Sequence, residues 1–293
     1  MTMLLNNNYS SFIFVFATLL YSCSAAFNQS DCNCRINPAE DTFKIVNGTE
    51  FYPHKYPWLV SLQIERSAGD YAHNCGGSIL NDQWIVTAGH CFFANLTRLS
   101  VLVGAHDLAT SGRRYKVAQF IQHPDYNTSP VVRNDIALIQ LAEPIPSFSR
   151  NVQPACLISR NIYFTSNDLY VAGWGVTDTE ENETTERPLE LQMDHVNFLS
   201  CTISWFGLLS YRAHICARAN RASPCFGDSG GPLMVESQER IKLYVIGLVS
   251  FGNACTDEMP TVFTRVTSYL NWIESIVKSY CKADGQDINA YPR

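Results

Sequence analysis

Short apolar runs alternate along the chain with clusters of glycine, proline, asparagine and aspartate. The runs cover residues 58–64, 84–88, 99–104, 136–141, 169–175 and 243–252. Short apolar runs rich in β-branched residues and bounded by turn residues are typical of strands, and several of them indicate an all-β sandwich or barrel. A proline-containing, serine-rich connector at 143–154 divides the chain into halves of similar length.

A helix is predicted only near the end of the chain, in the segment VTSYLNWIESIVKS. Apolar residues recur there at about 3.6-residue spacing, which is the helical period. The residues concerned are Val266, Leu270, Ile273, Ile276 and Val277. Thr267 or Ser268 is the predicted cap, and we expect the helix to pack on the body of the domain.

The N-terminus carries an apolar run from Ser11 to Tyr21, followed by small residues suited to cleavage near Ala25 or Ala26. A membrane-spanning helix needs roughly 20 apolar residues, so this run predicts a secretory signal peptide over residues 1–26. A buried core helix is the alternative, and the extreme N-terminal position disfavours it. No other segment is apolar enough to span a bilayer, so we expect a secreted, extracellular protein.

The chain of 293 residues has a net charge of −6 and contains no run of Lys and Arg. Its sequence therefore lacks the electrostatic footprint of a nucleic-acid-binding protein, and it gives no support for binding to a membrane surface. The length after the signal peptide suffices for one large core or two small ones.

Eleven cysteines are present, and Cys23 lies in the predicted signal peptide, which leaves ten. An even number in a secreted chain favours a disulfide framework over metal binding. Cys32 and Cys34 are too close in sequence for a zinc knuckle, so no metal site is expected there. Sequons that predict surface glycosylation begin at Asn28, Asn47, Asn95, Asn127 and Asn182.

Three motifs carry residues suited to nucleophilic catalysis, namely TAGHC at 87–91, RNDIALIQL at 133–141 and GDSGGP at 227–232. Taken singly, His90 reads as a core histidine, Asp135 as a strand-start residue and the glycines as a tight turn. A serine hydroxyl is a weak nucleophile until a base takes its proton, and the base works best when a carboxylate fixes its tautomer. Ser229, His90 and Asp135 supply these three groups.

The chemistry of a serine nucleophile explains why glycines surround Ser229. Without side chains at Gly227, Gly230 and Gly231, the backbone can approach a reacting carbonyl closely. The N–H groups of Gly227 and Ser229 are predicted to point at the developing oxyanion. Removing one such donor typically costs about 3–4 kcal/mol of transition-state stabilisation.

From Ile45 to about Ser279 the chain resembles the chymotrypsin/trypsin-like serine peptidases. The motifs IVNG, CGGSIL, WIVTAGHC, NDIALIQL, AGWG, CFGDSGGPL and PTVFTRV occur in the family's order and approximate spacing. The resemblance implies an all-β chymotrypsin fold: two antiparallel six-stranded β-barrels, a C-terminal α-helix and an active site between the barrels. It also implies that His90 is the general base and acid, Asp135 its orienting carboxylate and Ser229 the nucleophile. The amides of Gly227 and Ser229 would form the oxyanion hole.

The segment DTFKIVNG resembles the family's activation site, with cleavage between Lys44 and Ile45. The resemblance implies that the new α-amino group of Ile45 pairs with Asp228 and so orders the loop that carries Gly227 and Ser229. Breaking a buried pair by removing one partner typically costs roughly 3–5 kcal/mol, which is enough to switch a loop between order and disorder.

The expected organisation follows from these sites. It comprises a signal peptide at 1–26, an activation peptide at 27–44, a peptidase domain at 45–279 with its two halves meeting near 143–156, and a C-terminal tail at 280–293.

The resemblance implies disulfides Cys75–Cys91, Cys201–Cys216 and Cys225–Cys255. Cys156 matches a position that tethers the propeptide, so Cys32 or Cys34 is expected to bond to it and to keep the activation peptide attached. Counting alone leaves the other of these two and Cys281 as a further pair. One bridge usual in the family is missing, because Leu169 and Val235 occupy its two ends.

Ser223, six residues before the nucleophile, matches the base of the primary specificity pocket. A trypsin-like pocket needs Asp there, and burying an unpaired substrate cation against Ser223 would be strongly disfavoured. We therefore expect the enzyme not to cut its own Lys44 efficiently and to need a separate trypsin-like activating protease.

The other pocket residues that the resemblance implies are Pro224, Phe226, Ser250, Phe251, Gly252 and Thr261. Gly252 leaves one wall open, as in chymotrypsin, while Thr261 stands where chymotrypsin has Gly and should narrow the lower pocket. The predicted residue before the scissile bond is of medium size and apolar: Leu, Met or Val, with Phe and Tyr as further candidates.

Two other classes of protein match parts of this sequence. A non-catalytic homologue that acts as a binding or regulatory protein typically loses the serine or histidine, whereas this chain has all three triad residues. An α/β hydrolase has a G-x-S-x-G motif that residues 227–231 fit, but the chain order His, Asp, Ser and the β-only pattern argue against it.

The expected partners are protein or peptide substrates, the activating protease and protein inhibitors, with the enzyme itself a monomer. No cofactor is expected. The loop at 104–114 lacks the carboxylates of calcium-binding members, and Arg113 and Arg114 would repel a cation.

Overall fold

The computed structural model describes residues 27, 32–35, 49–92, 95–159, 162–164, 169–177, 183–253, 255–288 and 290–292. The predicted signal peptide and the predicted cleavage site between Lys44 and Ile45 lie outside the described residues. Of the predicted glycosylation sites, Asn95 and Asn127 are described, and both are exposed. No helix in the described part of the chain is both long and apolar enough to cross a bilayer.

The first half of the chain forms a closed antiparallel barrel. Its strands are β2 (Leu59–Ser67), β3 (Asp70–Ile79), β4 (Trp84–Thr87), β5 (Leu99–Val103), β6 (Arg113–Gln122) and β7 (Ala137–Leu141). Around the barrel the strands follow the order β2-β3-β4-β7-β6-β5, and β5 pairs back with β2. The interior is apolar, with Leu62, Ile85 and Ile139 fully buried.

The second half repeats this architecture. Its strands are β10 (Leu169–Gly173), β11 (Leu189–His195), β12 (His214–Arg218), β13 (Pro232–Glu236), β14 (Leu243–Phe251) and β15 (Thr261–Arg265). They follow the order β13-β10-β11-β12-β15-β14, and the pairing of β13 with β14 closes the ring. The predicted fold of two six-stranded antiparallel barrels is confirmed.

Among the described residues, short strands outside the two rings pair with the second barrel or with each other. The short strand β1 (Thr49–Glu50) pairs with β11, while β8 (Cys156–Ile158) runs parallel to both β14 and β16 (Cys281–Ala283). A separate two-stranded sheet contains β9 (Ile162–Phe164) and β17 (Ala290–Pro292).

The two helices depart in detail from the prediction. The predicted C-terminal helix is present as α2 (Leu270–Val277), but Tyr269 precedes it and no side chain caps it. The predicted cap residues lie in a 3-10 turn at Val266–Ser268, and the Ser268 hydroxyl donates instead to the carbonyl of Arg212. A second helix, α1 (Phe198–Ser204), was not predicted.

Five disulfides join the described residues. They are Cys32–Cys281, Cys34–Cys156, Cys75–Cys91, Cys201–Cys216 and Cys225–Cys255. The sequence left open which of Cys32 and Cys34 bonds to Cys156, and in the structure it is Cys34. Leu169 and Val235, the residues at the missing bridge, are directly paired on β10 and β13 and are fully buried.

The barrel interior should dominate stability. Ile139 is 0% exposed on β7, whereas Ile203 on α1 is 69% exposed. Ile139→Ala should lower the free energy of unfolding by about 2–5 kcal/mol through reduced burial and the cavity left behind. Ile203→Ala removes the same atoms and should have an effect within about 0.5 kcal/mol. Chemical denaturation measures both, and equal losses would contradict this assignment of the core.

Candidate active site

Asp135 and His90 contact each other directly at the end of the first barrel. His90 lies in a 3-10 turn (Gly89–Cys91) that follows β4, and Asp135 lies just before β7. The Nδ1 atom of His90 is 2.8 Å from Oδ2 of Asp135, and the backbone N–H of His90 donates to Oδ1 at 2.8 Å. A carboxylate only accepts, so this geometry places the proton of neutral His90 on Nδ1 and leaves Nε2 able to act as a base.

The second barrel holds the carboxylate in place. The Ser250 hydroxyl on β14 donates to Oδ2 of Asp135 at 2.5 Å, and the Thr264 hydroxyl on β15 donates to the Asp135 carbonyl at 2.7 Å. Asp135 is only 2% exposed. The carboxylate is therefore fixed from both barrels, as an orienting group requires.

The loop that carries Ser229 is bonded to both barrels. The N–H of Gly76 on β3 donates to the carbonyl of Ser229 at 2.8 Å, and the N–H of Gly230 donates to the carbonyl of Val249 at 2.8 Å. The sulfur of Cys91, the neighbour of His90, is 3.6 Å from the Ser229 carbonyl oxygen. These contacts bring the Ser229 backbone beside the histidine turn.

Within the described residues, no hydrogen bond joins the Ser229 hydroxyl to His90. Such contacts are often long in enzymes without substrate and shorten when substrate binds. The structure thus shows a direct contact between His90 and Asp135. Ser229 is held near them by the backbone hydrogen bonds of its loop.

Gly230 is needed where the loop meets the first barrel. Its φ is +74°, and a Cβ at this position would lie 2.1 Å from the Thr87 hydroxyl and 2.8 Å from the Ala88 nitrogen. A side chain there would push the loop away from the histidine turn.

Two hydrogen bonds, one from the backbone and one from a side chain, orient the peptide groups around Gly227. The Val176 N–H donates to the Phe226 carbonyl at 2.8 Å. In a trans peptide the N–H of Gly227 then points away from Val176, because carbonyl and N–H lie on opposite sides of the bond. On the next peptide, the Gly227 carbonyl is 2.9 Å from Nε2 of His73.

His73 and Ser61 are functional candidates that the sequence reasoning missed. Burial lowers the pKa of His73 to about 4, so its ring is neutral at physiological pH. Nε2–H then donates to the Gly227 carbonyl, while Nδ1 accepts from the Ser61 hydroxyl at 2.7 Å. His73 stands two residues before Cys75 in HNCGG, beside the CGGSIL motif, but a histidine at this place in the sequence gives no signal of its role.

Asp228 points into a pocket that glycines leave open. Its carboxylate accepts from the N–H groups of Gly175 and Cys225 at 2.9 and 3.0 Å. A Cβ on Gly173 or Gly175 would approach the carboxylate oxygens to 2.3 or 2.2 Å. Burial raises the pKa of Asp228 to about 6, against the lowering effect of these two backbone bonds.

A cavity of about 460 Å³ adjoins this carboxylate. Gly173, Leu189 and Leu191 are among its lining residues, and so is Glu190. Glu190 is the partner of Thr49 in the pairing of β11 with β1. The cavity therefore extends from Asp228 to the part of β11 that pairs with β1.

The side chains of the predicted pocket residues Ser223 and Thr261 are in contact. Their hydroxyl oxygens are 3.2 Å apart. A Cβ on Gly252 would lie 3.7 Å from the Thr261 hydroxyl, so these two residues are close neighbours. Phe251 packs edge-on against Trp205 with ring centroids 5.0 Å apart, while Phe226 is 62% exposed.

One group in the described chain has the spacing of metal ligands: Cys75, His90 and Cys91. Both sulfurs belong to the Cys75–Cys91 disulfide, so they supply no thiolate to a metal ion.

The two barrels, together with the site between them, define a trypsin-like serine protease domain. The family model described as Trypsin matches residues 45–273, so the chain belongs to the trypsin family. Phenoloxidase-activating factor 1 from Holotrichia diomphalia is 31% identical over 272 residues, which cover 85% of this chain and 73% of that protein.

The raised pKa of Asp228 predicts a pH-dependent stability of the uncleaved protein. The folded state binds this proton more tightly than the unfolded state, whose ordinary pKa is 3.8. The stabilisation is therefore complete below about pH 4 and is lost as the pH rises through about 6. Relative to wild type, Asp228→Asn should gain unfolding free energy between these pH values and level off above them. Denaturant titrations across this range measure the difference, and a constant difference would contradict the prediction.

Proposed function

We propose that the protein is a secreted serine endopeptidase made as a zymogen, which hydrolyses peptide bonds after medium-sized apolar residues through an acyl-enzyme. The observation that carries the proposal is the 2.8 Å contact between His90 and the buried Asp135 beside the loop of Ser229. Five disulfides favour an oxidising, extracellular location.

In the proposed reaction, the Ser229 hydroxyl attacks the substrate carbonyl while Nε2 of His90 takes its proton. Asp135 stabilises the imidazolium that forms. The N–H groups of Gly227 and Ser229 stabilise the oxyanion, and His90 passes its proton to the leaving amine as the acyl-enzyme forms. Water then attacks this ester with His90 again as base, releasing the acid and restoring Ser229.

Activation is proposed to follow cleavage between Lys44 and Ile45. Only residues 45–48 separate the new amino terminus from Thr49, and four extended residues reach roughly 13 Å. The cavity between Glu190 and Asp228 gives the Ile45 side chain and amine a place to enter. An ammonium group there would favour the ionised carboxylate and so reverse the effect of burial on Asp228.

The activation peptide is proposed to stay attached after cleavage. Cys34–Cys156 and Cys32–Cys281 both join the segment before Lys44 to the body of the protein. Because there are two disulfides, the activation peptide would stay attached even if one of them were reduced.

The hydroxyl pair of Ser223 and Thr261 supports an apolar specificity. A carboxylate at the pocket base would neutralise a Lys or Arg side chain, and neither hydroxyl can do so. Self-cleavage at Lys44 is then disfavoured, and a separate trypsin-like protease would act as activator. The relative's name, an activating factor, supports a role in which this peptidase acts on other proteins. Protein inhibitors are proposed as further partners.

A serine-directed fluorophosphonate tests the proposal. Wild-type protein cleaved after Lys44 should label rapidly on Ser229, and the uncleaved protein should label far more slowly. The cleaved Asp228→Asn variant should resemble the uncleaved protein, because the Ile45 amine would lack its partner. A loss of roughly 3–5 kcal/mol corresponds to at least a hundredfold lower labelling rate.

Ser229→Ala is the control for labelling at other residues. Absence of labelling in the cleaved wild type would favour the alternative, a non-catalytic homologue with a binding or regulatory role. Rapid labelling of cleaved Asp228→Asn would retain the peptidase but reject the activation mechanism.

Pocket specificity has its own test. Thr261→Gly should shift the preference toward Phe, Tyr and Trp, because it deletes a side chain beside Ser223 at the predicted pocket base. A peptide library varied at the residue before the scissile bond measures the ratio of kcat/KM values for Phe and Val substrates. We expect this ratio to rise by about tenfold or more, which corresponds to about 1.4 kcal/mol. An unchanged ratio would show that the Thr261 side chain does not line the specificity pocket.

A further inference from the structure

A groove of about 840 Å³ collects basic side chains that are far apart in sequence. Arg133, Arg212, Arg265 and Lys282 line it, and Glu274 is the acidic residue among its described lining. We call it the arginine groove. It contains none of the three candidate catalytic residues.

The charges of the groove do not cancel. Glu274 pairs with Lys282 and accepts from the Tyr280 hydroxyl at 3.2 Å, and these contacts lower the pKa of Glu274. Arg133 and Arg212 are exposed, and neither makes an ion pair with a carboxylate of the described chain. The groove is thus locally cationic in a protein of net charge −6, which favours an anionic ligand.

Arg265 forms a fixed part of this surface. It is only 6% exposed; its Nε donates to the Tyr211 carbonyl at 3.1 Å, and a terminal nitrogen donates to the His214 carbonyl at 3.0 Å. The guanidinium also lies 4.9 Å from the centre of the Tyr211 ring. A guanidinium that is already ordered adds positive potential without a further entropy cost on binding.

The rest of the lining indicates the kind of anion. Most of the uncharged side chains carry hydroxyl or amide groups: Asn134, Ser159, Ser210, Thr267, Ser268, Tyr269 and Asn271. Such groups match the hydroxyls of a sugar, while guanidinium groups match sulfate oxygens. Large aliphatic surface is limited to Leu270, so an apolar peptide segment fits less well.

We propose that the arginine groove binds a sulfated polysaccharide, with sulfate groups on Arg133 and Arg212. This goes beyond the proposed peptidase activity and needs neither cleavage after Lys44 nor catalysis. Its ligand would hold the protein on a sulfated extracellular matrix.

Calorimetric titration of the full, uncleaved chain with a size-fractionated heparin oligosaccharide tests the proposal. Removing one guanidinium that binds a sulfate group should weaken binding about tenfold, so Arg133→Gln with Arg212→Gln should weaken it by about a hundredfold. The matched control is Arg66→Gln with Arg240→Gln, which removes the same charge at exposed positions outside the groove that also lack an ion pair within the described chain, and it should change affinity little. Thermal unfolding checks that both variants remain folded.

A gain of affinity provides a second test. Glu274→Gln removes the carboxylate that pairs with Lys282 and should tighten heparin binding severalfold. The proposal is overturned if wild type does not bind heparin, if both double variants weaken equally, or if Glu274→Gln weakens binding. Equal affinity for desulfated heparin or polyglutamate would also overturn it. Full competition by inorganic sulfate at equal sulfate concentration would overturn it in favour of a single-anion site.

Discussion

The chain from Cys225 to Gly231 forms no strand of its own, so hydrogen bonds from both barrels determine its position. Gly76 of the first barrel donates to the Ser229 carbonyl, and Val249 of the second accepts from Gly230. Catalysis by a serine and a histidine requires the two groups to come within hydrogen-bond reach when substrate is bound. The candidate site therefore depends on the packing of one barrel against the other, since neither barrel alone fixes this loop.

The close approach of Asp228 to the backbone around Trp174 explains why glycines stand on both sides of that tryptophan. Gly173 and Gly175 flank Trp174, and both leave space for the Asp228 carboxylate. Trp174 is fully buried, and its indole N–H donates to the His106 carbonyl at 3.1 Å. The glycines thus leave space for the Asp228 carboxylate while the tryptophan between them fixes the segment, as the proposed pairing of Asp228 with a new amino terminus would require.

The ordered family motifs were sufficient to predict the two-barrel fold, and they also singled out His90 and Asp135, which the structure places in direct contact. Taken singly, neither residue carried that information. The motifs could not reveal His73, whose role arises from contacts with Gly227 and Ser61 made only in the folded chain. They also missed α1, which has only seven residues. Its apolar residues Leu199 and Ile203 are exposed while Cys201 is buried, so apolar character does not mark a single buried face of this helix.

Two further features that the sequence did not predict depend on contacts between residues that are distant in sequence. The start of α2 shifted because the Ser268 hydroxyl bonds to Arg212 rather than capping the helix. The basic groove likewise combines Arg133, Arg212 and Arg265, which are too dispersed to form a charge run in the sequence.

If Ser229 is the nucleophile, it becomes an acyl acceptor once the chain is cleaved after Lys44. Intact-protein mass spectrometry can measure this directly after the cleaved protein reacts with a slowly hydrolysed aryl ester of an apolar acid. We expect the mass of one added acyl group on the cleaved protein, with fragmentation locating it on Ser229, and almost no acyl group on the uncleaved chain. No adduct on the cleaved protein, or an adduct on a residue other than Ser229, would contradict it.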